Sequence, residues 1–155
     1  MRALWPATDS LLAQIRTADQ ITFARYAHRT IGTPVEERMI HIGDAWHSTS
    51  PQLGQGANMA LLDAYALAYA LRTDDTLTRN LSLAVSLRRR HVALYQTLSA
   101  VFTPAYQSDS VLLPFLRDRL VGSISKMWPA TWVQAAMVSG LLGSPLTRLG
   151  LHIPR

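Results

Sequence analysis

The chain has no cysteine. Disulfides, thiolate nucleophiles and cysteine-ligated metals are excluded, and the redox compartment is left open. Lysine is nearly absent: Lys126 is the single copy, and arginine supplies the remainder of the 15 basic residues. Charge of either sign is sparse, at 16%, where about a quarter is ordinary for a soluble domain. Against 48% hydrophobic residues, this leaves material for a core and too few charges to cover the rest. Such a balance points to peripheral contact with a membrane surface, or to an apolar face covered by a neighbour.

Other absences narrow the function. No charge lies between Lys126 and Arg148, but Pro129, Gly140, Gly143 and Pro145 interrupt the stretch. Its continuous apolar part is too short to span a bilayer. The amino terminus carries Trp5, Pro6 and Asp9 and does not read as a signal peptide. The net charge of +5 is scattered, and Arg88-Arg89-Arg90-His91 reads as a solvated helix face, so no nucleic-acid partner is expected. His41 and His47 match no metal-ligand spacing. Alternating with Ile40 and Ile42, His41 reads as a packed strand histidine. Without a Gly-x-Ser-x-Gly elbow, Ser48 or Ser50 beside His47 and Asp44 makes no persuasive hydrolase triad.

What is present is a chain of 155 residues, the length of one ordinary domain. Residues 9–18 read as a short helix, and 21–30 and 38–43 as strands with a turn at Gly32-Thr33-Pro34 between them. After Gly43-Asp44 comes a hydroxyl-rich loop, then Gly54-Gln55-Gly56-Ala57-Asn58 opening a helix to about 72. That helix is apolar nearly all round, with Met59, Leu62, Ala66 and Tyr69 as one stripe, and is expected to be buried. Asp63 within it needs a partner, either Arg25 or one of Arg88 to Arg90. Asp74, Asp75 or Thr78 can cap the next helix, which is expected to stop at Pro104. Shorter helices are expected at 108–121 and 130–142.

The informative segment is 43–58. A carboxylate at a strand's carboxyl end lies where ligands bind in open sheets. The helix that follows presents free N–H groups and the positive end of its dipole. Glycines at 54 and 56 allow close backbone approach, so the segment suits an anionic or carbonyl-bearing ligand. The plain alternative is a connection in which Asp44 only caps a turn.

The full string, Gly43-Asp44-Ala45-x-His47-x-x-x-Pro51-x-x-Gly54-Gln55-Gly56-x-Asn58, resembles the second flavin-binding motif of the FAD-dependent aromatic-ring monooxygenases, the family of para-hydroxybenzoate hydroxylase. Asp63-Ala64 resembles the same family, and Tyr95-Gln96-Thr97-Leu98-Ser99, Thr103-Pro104, Gln107-Ser108-Asp109 and Leu116-Arg117-Asp118-Arg119 resemble its ubiquinone-biosynthesis hydroxylase-like branch. The resemblance implies an α+β fragment of a two-domain α/β flavoprotein, carboxyl-terminal portion only: two strands at the amino-terminal end, then a mainly helical half. It implies the end of a substrate-binding sheet region at 1–36, a flavin-contacting strand–loop–helix at 37–73 and a helical region at 74–155.

By the same resemblance FAD is the cofactor, with NADH or NADPH as electron donor. An aromatic small molecule and molecular oxygen are the substrates. Asp44 would bond a ribityl hydroxyl, Pro51 would lie beside the isoalloxazine ring, and backbone near Gly54, Gly56, Ala57 and Asn58 would reach the pyrimidine end. No catalytic residue is assigned. Trp46 departs from the family's small residue and bears on the loop packing or the substrate pocket wall. No Gly-x-Gly-x-x-Gly turn for the pyrophosphate occurs among the glycines. The expectation is a chain inactive in isolation, in the cytoplasm or at a membrane, completed by a separate flavin-binding chain or self-associating. The competing expectation is a non-enzymatic fragment serving as an interaction module.

Overall fold

The computed structural model describes residues 2–22, 27–107 and 124–151, with 110, 112, 115 and 119 singly between them. Its frame is an antiparallel pair of helices, α3 (Gly56–Ala70) and α4 (Leu77–Gln107), joined by a short turn. At about 1.5 Å per residue, the 31 residues of α4 reach on the order of 46 Å. The turn is fastened by polar side chains. Asp75 Oδ1 accepts from the Thr76 amide at 2.6 Å, and Thr73 Oγ1 donates to Asn80 Oδ1 at 2.6 Å.

Before the pair lie α1 (Asp9–Leu12), β1 (Arg29–Thr30) and α2 (Asp44–His47); after it lie α5 (Ala130–Val138) and α6 (Pro145–Arg148). Two core clusters form along the α3–α4 seam. Trp46, Met59, Val85, Val92 and Tyr95 make the first, with Met137 and Leu142 packed on it. Leu62, Ala66 and Leu149 make the second, with Leu146 and Leu151. The segment after α5 therefore reaches back across both helices.

Several expectations are corrected. The helix expected over 9–18 is one turn, and α1 buries nothing. Two full strands do not form among the described residues. Phe23, Ala24, Arg25 and Tyr26 lie outside them, and β1 pairs only Arg29 with Ser48 and Thr30 with His47, antiparallel. Residues 38–43 make one bridge, Val35 with Ile40, closed by Glu36 N to Met39 O at 2.9 Å. With no neighbouring ladder, His41 is half-buried beside a turn and is not a strand histidine. Asp44 accordingly begins a helical turn instead of ending a strand.

The helix α3 is buried on one face only. Met59, Leu62, Asp63, Ala66 and Ala70 face α4, whereas Leu61 (71%), Tyr65 (41%) and Tyr69 (44%) stand exposed. Tyr69 thus leaves the stripe and Ala70 joins it, because the stripe follows α4 and not hydrophobicity alone. Pro104 sits inside α4, which continues one further turn. Proline removes one donor, the one that would have met the Ala100 carbonyl, but its ring is compatible with a helical φ. The helix expected at 130–142 ends at Val138, where Gly140 takes φ 75°. The helix expected at 108–121 falls mainly outside the described residues. No helix among those described is long and apolar enough to cross a membrane.

Candidate functional site

A cavity of about 240 Å³ opens where the loop between α2 and α3 crosses α4. Asp44, Pro51, Gly54 and Gly56 line it, with Ser48 to Ser50 and His47 from the loop. From α4 come Tyr95, Gln96 and Ser99. These were not singled out as site residues, although their spacing puts them on one helix face. They hold the loop as well as lining the cavity: Gln96 Nε2 donates to Ser48 O at 3.3 Å and Ser99 Oγ to Ser50 O at 3.2 Å.

The amino end of α3 is uncapped by any side chain. Met59 N bonds to Gln55 O at 2.9 Å, so the N–H groups of Gly56, Ala57 and Asn58 precede the first intrahelical bond. Gly54 adopts φ 62°, and a Cβ there would meet nothing within 4 Å. The backbone at this corner is open to an approaching ligand. Gly56 and Ala57 are exposed. Ala57 and Asn58 lie beyond the cavity lining itself.

Asn58 is engaged by the carboxyl-terminal segment. Its Nδ2 donates to Gln55 Oε1 at 2.9 Å, and Gln55 Nε2 donates to Val138 O at 2.5 Å. A Cβ at Gly140 would overlap Asn58 Nδ2. Tyr95 Oη donates to Met137 O at 2.9 Å. The carboxyl end of α5 is therefore bonded to the start of α3 and to the cavity wall on α4.

Beneath the loop is a buried polar network. Asp63 is the hub, and its partner is Arg88 from the expected set. Arg88 Nε donates to Asp63 Oδ1 at 2.8 Å, with both side chains 1% exposed. Oδ2 accepts from His47 Nε2 at 2.6 Å and from the Gly43 amide at 2.9 Å. Burial by itself would raise the Asp63 pKa. The bonds from His47, Arg88 and Gly43 outweigh it and hold the carboxyl below its ordinary range. Arg88, expected on a solvated face, is instead among the most buried residues; Arg89 and Arg90 are exposed.

Arg88 Nη1 also bonds His91 Nδ1 at 2.8 Å. A guanidinium can only donate, so Nδ1 accepts and the ring is neutral with its proton on Nε2. Burial and the adjacent Arg88 charge push the His91 pKa down to about 4. The enclosed Nε2 has no hydrogen-bond partner among the described residues.

His47 is thus committed to Asp63 and not to Asp44, and Ser48 Oγ donates to Ala27 O at 3.2 Å. That removes the hydrolase arrangement. Among the described residues no group of His, Asp and Glu could hold a metal ion. Trp46 is a core residue, its ring edge-on to His47 at 5.2 Å. It also borders a second hollow of about 370 Å³ between β1 and α4.

Comparison with known proteins bears on this site directly. The FAD binding domain family matches residues 7–79, which contain the whole loop and α3. The 3-(3-hydroxy-phenyl)propionate/3-hydroxycinnamic acid hydroxylase of Burkholderia cenocepacia is 36% identical over 112 residues, 67% of this chain and 21% of the relative. The FAD-dependent monooxygenase okaB of Penicillium ochrochloron is 35% identical over 95 residues, 56% of this chain and 20% of its own. The mitochondrial ubiquinone biosynthesis monooxygenase COQ6 of Saccharomyces cerevisiae is 35% identical over 77 residues, 50% of this chain and 14% of its own. No solved structure matches. The chain spans about a fifth of the length of the curated relatives it matches. Over residues 7–79 the chain matches the FAD binding domain family, and it is similar to FAD-dependent monooxygenases and hydroxylases.

Proposed function

We propose that the chain supplies the ribityl and pyrimidine contacts of FAD in a monooxygenase that hydroxylates an aromatic substrate. The observation that carries this reading is the juxtaposition of the Asp44 carboxylate with the uncapped amino end of α3 around one cavity. The chemistry of that corner fits a flavin. A carboxylate accepts from a polyol hydroxyl, and fixed N–H dipoles at a helix start favour carbonyl oxygens and negative charge. The cavity volume suits part of the cofactor, not a whole dinucleotide.

On this reading Asp44 holds a ribityl hydroxyl. Pro51 flanks the ring, and Gly54 and Gly56 keep the approach clear. The N–H groups of Ala57 and Asn58 stabilise charge that collects on the pyrimidine edge when the flavin is reduced. Bound FAD supplies the activation of molecular oxygen, with NADH or NADPH as the electron source. The aromatic substrate and the nicotinamide donor come to the proposal from the family.

Asp44→Ala is expected to weaken flavin binding about ten- to hundredfold, the loss of one charge-assisted hydrogen bond of about 1.5–3 kcal/mol. Titration with riboflavin, followed by quenching of its fluorescence, measures this. Unchanged affinity would show that the flavin does not sit against Asp44.

A second reading, an interaction module, is favoured by one feature. Apart from buried Asp63, α3 has no charged residue, and Leu61, Tyr65 and Tyr69 are exposed along it. An apolar face of this kind predicts self-association or binding of a hydrophobic dye by the isolated chain. A monodisperse monomer by light scattering, with no dye binding, counts against the module.

A further inference from the structure

We infer that Asp63 is a positioning residue for Asp44, an inference that rests on the flavin placement proposed above. Asp63 does not line the cavity. Yet its Oδ2 atom holds both ends of the four-residue helix that carries Asp44. The Gly43 amide, immediately before Asp44, donates to it at 2.9 Å, and His47 Nε2, at the last residue of α2, donates to it at 2.6 Å.

The remaining freedom of the turn is removed from two sides. Gly43 takes φ 57° and lies against α3 so closely that a Cβ would stand 3.1 Å from Ala60 Cβ. Ala60 and Asp63 are neighbours on one face of α3, so the turn is pressed and bonded along a single stripe. Arg88 grips Oδ1 at 2.8 Å and fixes the plane of the carboxylate. Asp44 itself is exposed and has no side-chain partner among the described residues. Its place at the rim is therefore set by what holds the residues on either side of it.

The substitution Asp63→Asn separates positioning from packing, because it keeps the shape. Arg88 can only donate, so it draws the amide oxygen to its side. The NH2 group then faces Gly43 and His47. Histidine can change tautomer and accept, but the Gly43 amide cannot, so the clamp opens at the residue next to Asp44.

Two measurements test this on the intact chain. In the first, amide hydrogen exchange is compared between wild type and Asp63→Asn, each normalised to its slowest-exchanging amides. The Gly43 amide and those of α2 are expected to exchange at least about tenfold faster, beyond any global change. Uniform acceleration along the chain would make Asp63 a packing residue and overturn the inference.

In the second, riboflavin affinity is measured for Asp44→Ala, Asp63→Asn and the double variant. Riboflavin carries the ribityl chain without the pyrophosphate. Asp63→Asn is expected to weaken binding about tenfold alone, and less than about twofold when Asp44 is already alanine. Equal losses in both backgrounds would overturn the inference. If wild type does not bind riboflavin, the proposed function falls, and the exchange measurement alone decides whether Asp63 clamps the turn.

Discussion

Replacing Arg88 with methionine is expected to lower the stability of the chain by about 3–5 kcal/mol, the usual cost of stranding one member of a buried ion pair. Methionine keeps much of the aliphatic stem, so the loss comes from the charge. Asp63 would then sit 2% exposed with only His47 and the Gly43 amide to satisfy it. His91 would lose the donor to its Nδ1 at the same time. Domains of this size hold about 5–15 kcal/mol in total, so the variant should be close to unfolding at room temperature. Urea denaturation read by far-ultraviolet circular dichroism measures the change. Pairing Arg88→Met with Asp63→Leu should recover part of the loss, because the uncompensated charge is gone. Recovery should stay incomplete, because Gly43 and His47 then lack their acceptor. A loss below about 1 kcal/mol for Arg88→Met would mean that the pair is solvated in solution.

Acid should destabilise the chain in two stages. The first belongs to His91, whose pKa falls from 6.5 in the unfolded chain to about 4 in the folded one. Above pH 6.5 neither state binds the proton and stability is complete. Between 6.5 and 4 the unfolded state gains a proton that the folded state refuses, and stability falls with pH. The difference amounts to about 3 kcal/mol by linkage. Below the ordinary carboxylate value of 3.8 a second loss begins, because Asp63 is held ionised when folded and takes up its proton more readily when unfolded. His91→Gln retains an acceptor for Arg88 and removes the titration. Melting temperatures between pH 4 and 7 should therefore fall less steeply for that variant. Parallel curves would assign the acid sensitivity to other groups.

The site was more legible in the sequence than the fold around it. The string from Gly43 to Asn58 names most of its residues through local chemistry (a carboxylate, a loop of hydroxyls, glycines and the start of a helix) and Pro51 through the family resemblance alone. Asp44, Pro51, Gly54 and Gly56 do meet at one cavity. The need of Asp63 for a partner was readable too, since a carboxylate on a helix face that packs cannot remain unpaired. That Arg88 and not its two neighbours supplies the pair is a matter of helix phase, which a run of three arginines conceals. The strand at 38–43 was over-read because alternation describes only which faces a segment could offer, whereas the middle of the one expected at 21–30 lies outside the described residues. Pairing depends on what lies beside it, and here the loop at His47 and Ser48 offers two residues of ladder. The exposed side of α3 was hidden for a related reason. Leu61 is as apolar as the residues that pack, and only the position of α4 decides which stripe is covered.

The second core cluster has a consequence for synthesis. Leu62 and Ala66 on α3 are closed over by Leu149, a residue made 83 positions after Ala66 (149 − 66). The two long helices are adjacent in the chain and can pair as soon as both have been translated. Until the stretch around Leu149 follows, their seam stays uncovered at that end. A nascent chain therefore passes through a stage in which an assembled helix pair displays bare leucine and alanine, the condition under which chaperones engage a polypeptide.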